Sequence, residues 1–246
     1  IKKEIKDIQS LSHKKFRDEL NWFIAEGPKI VGELIQLLPE QIEKVYAVKE
    51  WIQANQSSAQ KVNITEVNRV ELERLSHLQT PNQAIAVIRK LPSKRPDASS
   101  FTIYLDTIQD PGNFGTIVRI ADWFGIKNIV CTPGCADLYN PKVVQSTMAS
   151  IARVNVYYDE KEEWLIQQKV PVYAATLNGV SLYERPKVDQ GILVIGNESK
   201  GISEDVLQYS TAQITIPKKG QAESLNAAVA TGIILSHLLQ TTDNMD

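Results

Sequence analysis

An α/β fold in two parts is what this sequence predicts: a mostly parallel sheet with covering helices over residues 98–246, preceded by a small α/β domain over residues 1–97. Beyond residue 100, short apolar β-rich runs alternate with helical stretches, the pattern of a parallel sheet packed on both faces. The stretch Leu91-Pro92-Ser93-Lys94-Arg95-Pro96-Asp97-Ala98-Ser99-Ser100 is rich in Pro, Ser and charge and divides two strand-like runs, so the linker is set from about residue 91. At 246 residues, 43% hydrophobic and 23% charged, the chain has the length and composition for two ordinary globular cores.

The elements follow in order. Ile1 rather than Met opens the chain, consistent with trimming, on a mixed-charge helix that does not resemble a secretory signal. Residues 14–25 and 28–38 have helical spacing, with Phe16, Leu20 and Phe23 on one face; these aromatics and Trp22 are read as core. β-rich runs at 45–48 and 62–64 alternate with a polar helical segment at 66–75, and 84–88 reads as a strand. After the linker, strands are expected at 101–105, 128–130, 154–158, 172–175, 192–195 and 213–216, and helices at 114–124, 160–168 and 224–239. No stretch approaches the roughly 20 apolar residues of a membrane span, since 227–239 is short and contains Ser236 and His237. A cytoplasmic protein without membrane partners is expected.

Cys131 and Cys135 flank Thr-Pro-Gly with no second ligand pair nearby, so they are read as small buried or semi-buried thiols flanking a turn, and no metal is expected. His13, His77 and His237 lie far apart and receive no catalytic role. The formal net charge is −2, but residues 1–97 hold 16 Lys+Arg against 13 Asp+Glu, and the rest hold 11 against 16. A polyanion would therefore meet local basic patches, first of all Lys14-Lys15 with Arg17, and Arg89-Lys90 through Lys94-Arg95.

Three loops carry chemistry. Asp110-Pro111-Gly112-Asn113-Phe114-Gly115 follows a strand and opens a helix; Asn113 brings an amide, and Arg119 stands in the otherwise apolar run Ile117-Val118-Arg119-Ile120-Ala121. Ile195-Gly196-Asn197-Glu198-Ser199-Lys200-Gly201 follows a fully apolar strand. It lacks the order of a phosphate loop, and Glu198 would repel phosphates, which disfavours a nucleoside triphosphatase. Ile216-Pro217 leads through Lys218-Lys219 to Ser224-Leu225-Asn226, where Ser224 is read as the N-cap of the last helix, with Asn226 in its first turn.

In this order the three loops resemble the signature motifs of the SpoU (TrmH) family of RNA ribose 2'-O-methyltransferases, of the SPOUT superfamily, over about residues 101–239. The resemblance implies a deep C-terminal trefoil knot, S-adenosyl-L-methionine as cofactor, and a homodimer whose active site borrows from both subunits. Carried over by position, it makes Asn113, Arg119, Glu198, Ser224 and Asn226 the catalytic set. It makes Thr176, Leu177, Gly196, Ile216 and Leu225 the cofactor contacts. The first domain resembles the RNA substrate-binding domain of ribosomal-RNA members, through Ile8-Gln9-Ser10-Leu11, Lys14-Lys15-Phe16-Arg17 and 23–27, which points to ribosomal RNA as partner. Ala149 replaces a common Gly, Ser199 stands where many members have Gly, and Ala227-Ala228 follows Asn226 in place of a frequent Val-Ser. At this point a non-catalytic RNA-binding or ribosome-assembly factor, a transfer-RNA-directed enzyme and a base-nitrogen methylase also remain open.

Overall fold

The computed structural model describes residues 2–239, which form two compact units: one of residues up to Pro92 together with Asp137–Ala152, the other of Ser93–Ala136 and the chain from Arg153. The first unit begins with helices α1 (Lys2–Ser10) and α2 (Lys14–Leu20) and strand β1 (Trp22–Glu26). The helix expected over 14–25 thus ends at Leu20. Asn21 takes the left-handed conformation at φ 56° and closes it, as a short polar C-cap residue can. Phe23 then reaches the core from a strand, fully buried, whereas Phe16 on α2 is 37% exposed instead of packed inside.

Helix α3 (Pro28–Leu37) buries Ile30, Val31, Leu34 and Ile35 at i, i+1, i+4 and i+5, the stripe of an amphipathic helix. Strand β2 (Ile42–Ala47), helices α4 (Lys49–Ala54) and α5 (Gln56–Ala59), strand β3 (Ile64–Glu66), helix α6 (Arg69–Leu75) and strand β4 (Ala84–Arg89) follow. Asn68 and Glu71 form a reciprocal capping box at the start of α6. The sheet order is β1-β4-β2-β3, antiparallel except for β2 beside β3.

The basic patches read from sequence are largely consumed within this unit. Arg17 is 2% exposed; it donates to Asp137 Oδ2 at 2.6 Å and to the carbonyls of Leu11 and Ser12 at 2.8 and 2.9 Å, which removes it from any ligand surface. Lys14 and Lys90 pair with Asp18, Lys15 with Glu19 and Arg89 with Glu43. Side chains this long find nearby carboxylates once the chain is folded, and sequence spacing shows only the i,i+4 pairs.

The second unit carries six parallel strands, β5 (Thr102–Asp106), β6 (Asn128–Cys131), β7 (Asn155–Tyr158), β8 (Val172–Ser181), β9 (Ile192–Gly196) and β10 (Ala212–Thr215), in the order β10-β8-β9-β5-β6-β7. β5 is buried throughout and β9 through Ile195, the signature of central strands covered on both faces. Helices α7 (Pro111–Trp123) and α10 (Ala227–Leu238) pack together; between them α8 (Pro141–Thr147) belongs to the first unit, against β1, and α9 (Glu204–Leu207) is a single turn.

Two sequence expectations are corrected here. Residues 160–168 form no α-helix, only a 3-10 turn at Leu165–Gln167. Trp164 decides this: its backbone N–H donates to Asp159 Oδ2 at 2.6 Å, its indole donates to Pro96 O at 2.7 Å, and the ring is fully buried. Strand β8 also runs past residue 175. It pairs with β10 up to Ala174↔Gln213, and the register then jumps to Val180↔Ile214. Gly179 crosses so near that a Cβ there would lie 2.6 Å from Gln213 and Ile214 backbone atoms, so only glycine fits.

Candidate active site

Because β10, β8, β9 and β5 are adjacent and parallel, their carboxyl ends share one edge of the sheet, where open α/β sheets bind ligands. All three sequence motifs, and the 175–179 excursion of β8, leave from that edge. Pro111 at the first position of α7 and the Asp110 side chain, which accepts the Asn113 N–H at 2.8 Å, start the helix and put Asn113 in its first turn.

Asn113, Glu198 and Asn226, separated by 85 and 113 residues, meet in a single hydrogen-bonded row. Its polarity can be read without ambiguity. Asn226 is the N-cap of α10, and its Oδ1 accepts from Ala228 and Val229 N–H at 3.0 and 3.2 Å, so its Nδ2 must be the donor on the other side. That Nδ2 donates to Asn113 Oδ1 at 2.8 Å, and Asn113 Nδ2 donates to Glu198 Oε1 at 2.9 Å. Each amide retains one N–H, and the carboxylate retains an oxygen. The row can therefore offer two donors and an acceptor to a hydroxyl-bearing ligand.

The cap assignment corrects the sequence reading: Ser224 is exposed and lies in the irregular segment before the helix, the cap falls two residues later, at Asn226, and α10 begins at Ala227. Asn226 takes the cap because its short amide also has a partner, Asn113, on its outer side. Arg119 lies six residues beyond Asn113, roughly 9 Å along the helix axis. It is exposed and forms no hydrogen bond or ion pair among the described residues, leaving its guanidinium free for a ligand. Arg119 and Ser224 are thus not drawn into the row by the fold itself.

Of the expected cofactor contacts, Thr176 and Leu177 lie in the β8 excursion. Leu177 is 70% and Leu225 48% exposed, while the Thr176 hydroxyl is buried with no hydrogen-bond partner. An unpaired buried hydroxyl is uncommon and asks for a ligand partner. Ile216, half-buried, follows β10 directly. Gly196 ends β9; its missing Cβ would collide with Ile202 N and Gly201 C, so the returning loop of this chain, not a ligand, requires the glycine.

Two organising residues went unrecognised in sequence. Asn197 Oδ1 accepts the N–H groups of Ser199 and Lys200, both at 3.0 Å, and its Nδ2 donates to Thr107 O at 2.8 Å. Asp106, 3% exposed, accepts the Ser203 N–H at 2.7 Å and the Thr107 hydroxyl at 3.0 Å. An Asn opening a Gly-bounded turn was the available signal for the first; a terminal strand carboxylate gives none. Cys131 is fully buried, which pushes its thiol up, and a hydrogen bond from Cys131 pulls Cys135 down; no metal-binding group of His, Cys, Asp and Glu exists among the described residues.

Comparison with known proteins bears on both units. Residues 100–236 match the SpoU rRNA Methylase family, and residues 2–86 match the MRM3-like substrate binding domain. The chain is 31% identical over 243 residues to the 23S rRNA (guanosine(2553)-2'-O)-methyltransferase RlmP of Bacillus subtilis, covering 96% of this chain and 95% of that one. Among solved structures, a TrmH-family protein from Porphyromonas gingivalis is 36% identical with a TM-score of 0.85, covering 96% of both chains. An AdoMet-bound rRNA methyltransferase from Sinorhizobium meliloti is 29% identical with a TM-score of 0.82, covering 96% of this chain and 95% of that one.

Proposed function

Since this chain belongs to the SpoU rRNA methylase family, we propose that it transfers a methyl group from S-adenosyl-L-methionine to a ribose 2'-hydroxyl of RNA, with ribosomal RNA as substrate. The observation that carries the reading to particular atoms is the Asn226–Asn113–Glu198 row at the carboxyl edge of the parallel sheet. The cofactor fits the same edge: the orphaned Thr176 hydroxyl and the exposed Leu177 and Leu225 offer one hydrogen bond and apolar surface for an adenosine. S-adenosyl-L-methionine supplies, when bound, an electrophilic sulfonium methyl.

The protein's task is then alignment and charge. The spare amide hydrogens of Asn113 and Asn226 and the free carboxylate oxygen of Glu198 orient the ribose hydroxyls. Ser224, two residues before the α10 cap, adds a hydroxyl at the mouth of the site. An arginine keeps its proton in proteins, so Arg119 acts as a fixed cation that grips the adjacent phosphate or polarises the 2'-oxygen, and the 2'-proton leaves late, to water. No metal takes part.

Residues 1–97 serve as the RNA-holding domain, a reading supported by the match to a substrate-binding domain. The departure of 175–179 from the ladder and the tight crossing at Gly179 support the deep trefoil knot expected from the resemblance. A homodimer is supported by α7 and α10. Trp123, one turn beyond Arg119, is 84% exposed, and α10, mostly apolar apart from Thr231, Ser236 and His237, leaves Val229 51% exposed. Large apolar side chains left in water favour cover, and a second copy would supply it.

Transfer of labelled methyl to ribosomal RNA from a strain lacking the gene, followed by digestion to nucleosides, tests the function. A labelled 2'-O-methylnucleoside is expected; label on a base, or none with cofactor bound, overturns it. Arg119→Lys tests the cation role: activity that tracks the lysine's own titration would make residue 119 a base and refute it.

A further inference from the structure

We propose that Asp106, Thr107 and Asn197 form a clamp beneath the active site that sets the distance between Asn113 and Glu198, making these three the positioning residues of the methyl transfer proposed above. Asn113 sits in the first turn of α7, after β5, and Glu198 on the loop after β9. Their 2.9 Å contact is lateral and exposed, too weak by itself to hold two loops in register. What joins them is part-buried and anchored on the buried Asp106.

The fastening has two points. Asn197 Nδ2 donates to Thr107 O at 2.8 Å, and Asp106 Oδ2 accepts the Ser203 N–H at 2.7 Å, so both ends of the 197–203 loop are tied to consecutive residues at the end of β5. The loop is itself closed: Asn197 and Gly201 exchange backbone hydrogen bonds at 2.9 Å each way, and Asn197 Oδ1 caps the Ser199 and Lys200 N–H groups. Glu198 is the first residue inside this closed turn, so its backbone position follows directly from Asn197.

Thr107 carries the second observation. It is β-branched yet held at φ 58°, a region that such residues rarely enter. Its N–H donates to Thr132 Oγ1 at 2.9 Å, its hydroxyl donates to Asp106 Oδ1 at 3.0 Å, and its carbonyl accepts from Asn197. Strain of this kind persists only where the surroundings over-determine the conformation, and it concentrates at functional sites. Here it turns the Thr107 carbonyl toward Asn197 at the point where the chain departs for Asn113. The inference rests on the methyltransferase reading for its kinetic consequence but not for its geometry.

The test uses the full chain. In Asn197→Asp the acceptor for Ser199 and Lys200 survives, while the donor to Thr107 becomes a carboxylate facing a carbonyl. Asp106→Asn cannot accept on both sides. Both are expected to lower kcat about 10- to 100-fold, the cost of displacing a reacting group by about 1 Å, with the folded fraction and cofactor affinity little changed. Thr107→Ser, which keeps the hydroxyl and enters the left-handed region more easily, is expected to retain most of the rate; Thr107→Val is not. A kcat loss that merely follows the folded fraction, or full kcat in Asn197→Asp, overturns the clamp. The side-chain amide resonance of Asn113 reads the same contact without turnover: it is expected to shift in Asn197→Asp, and an unmoved resonance overturns the proposal even if the wild-type chain methylates no RNA. Wild-type inactivity with a shifted resonance would instead count against the methyltransferase reading alone.

Discussion

Asn226→Asp separates the two duties of one side chain. Aspartate caps a helix as well as asparagine does, and its charge suits a helix N-terminus, so the bonds from Ala228 and Val229 N–H at 3.0 and 3.2 Å survive. The donor to Asn113 Oδ1, at 2.8 Å in the native row, does not. The Asn113 amide then lies between two carboxylates that only accept, and whichever way it turns, its oxygen faces another oxygen. Water meets this mismatch in the free protein, where the row is exposed; once bound RNA excludes that water, leaving one such group unsatisfied costs about 1–3 kcal/mol, or about 5- to 100-fold in kcat at about 1.4 kcal/mol per factor of ten. Stability should move by less than about 0.5 kcal/mol, since the cap is kept. Asn226→Ala loses the cap as well, about 1 kcal/mol, and Tm should fall by about 2–4 °C. Initial rates of methyl transfer to ribosomal RNA at saturating cofactor, with calorimetric Tm for all three proteins, decide it. Full rate in Asn226→Asp, or a Tm loss equal to that of Asn226→Ala, refutes the assigned polarity of the row.

Other expectations follow from strain, titration and exposure. Ala149 is fully buried at φ 71°, so Ala149→Gly should relieve left-handed strain and, net of its greater unfolded-state entropy, stabilise by about 0.5–1 kcal/mol; a lowered Tm would contradict this. Burial holds the His77 imidazole below its ordinary range, with Glu26 opposing. The unfolded chain therefore binds that proton more readily, so stability is full above about pH 6.5 and declines as pH falls through that value. His77→Gln, which can still donate to Ile8 O, should flatten this slope in urea unfolding; an unchanged slope assigns it elsewhere. Trp123→Glu replaces the exposed indole at the end of α7 with a charge and should convert a sedimenting dimer to monomer with loss of methyl transfer, whereas a variant that remains dimeric removes this face from the interface.

Much of the fold was legible because it rests on period and punctuation. The apolar runs that became β5 and β9, the Pro-Gly-Asn start of α7 and the alternation of strand with helix each reflect local steric or burial preferences, so the parallel α/β sheet and the three ordered loops could be read directly from the residues. The residue types at positions 113, 198 and 226 were equally visible. What only the tertiary structure decided concerns partners far apart in the chain. The row from Asn226 through Asn113 to Glu198 depends on β5 and β9 being neighbours and on α10 starting beside α7. Arg17 looked like a surface cation until Asp137, 120 residues away, was found to neutralise it. Residues 14–25 kept a helical period although 22–26 became a strand, because pairing with β4 outweighs a weak propensity. Hydrogen bonds and ion pairs need distance and direction in three dimensions, and a one-dimensional pattern carries neither.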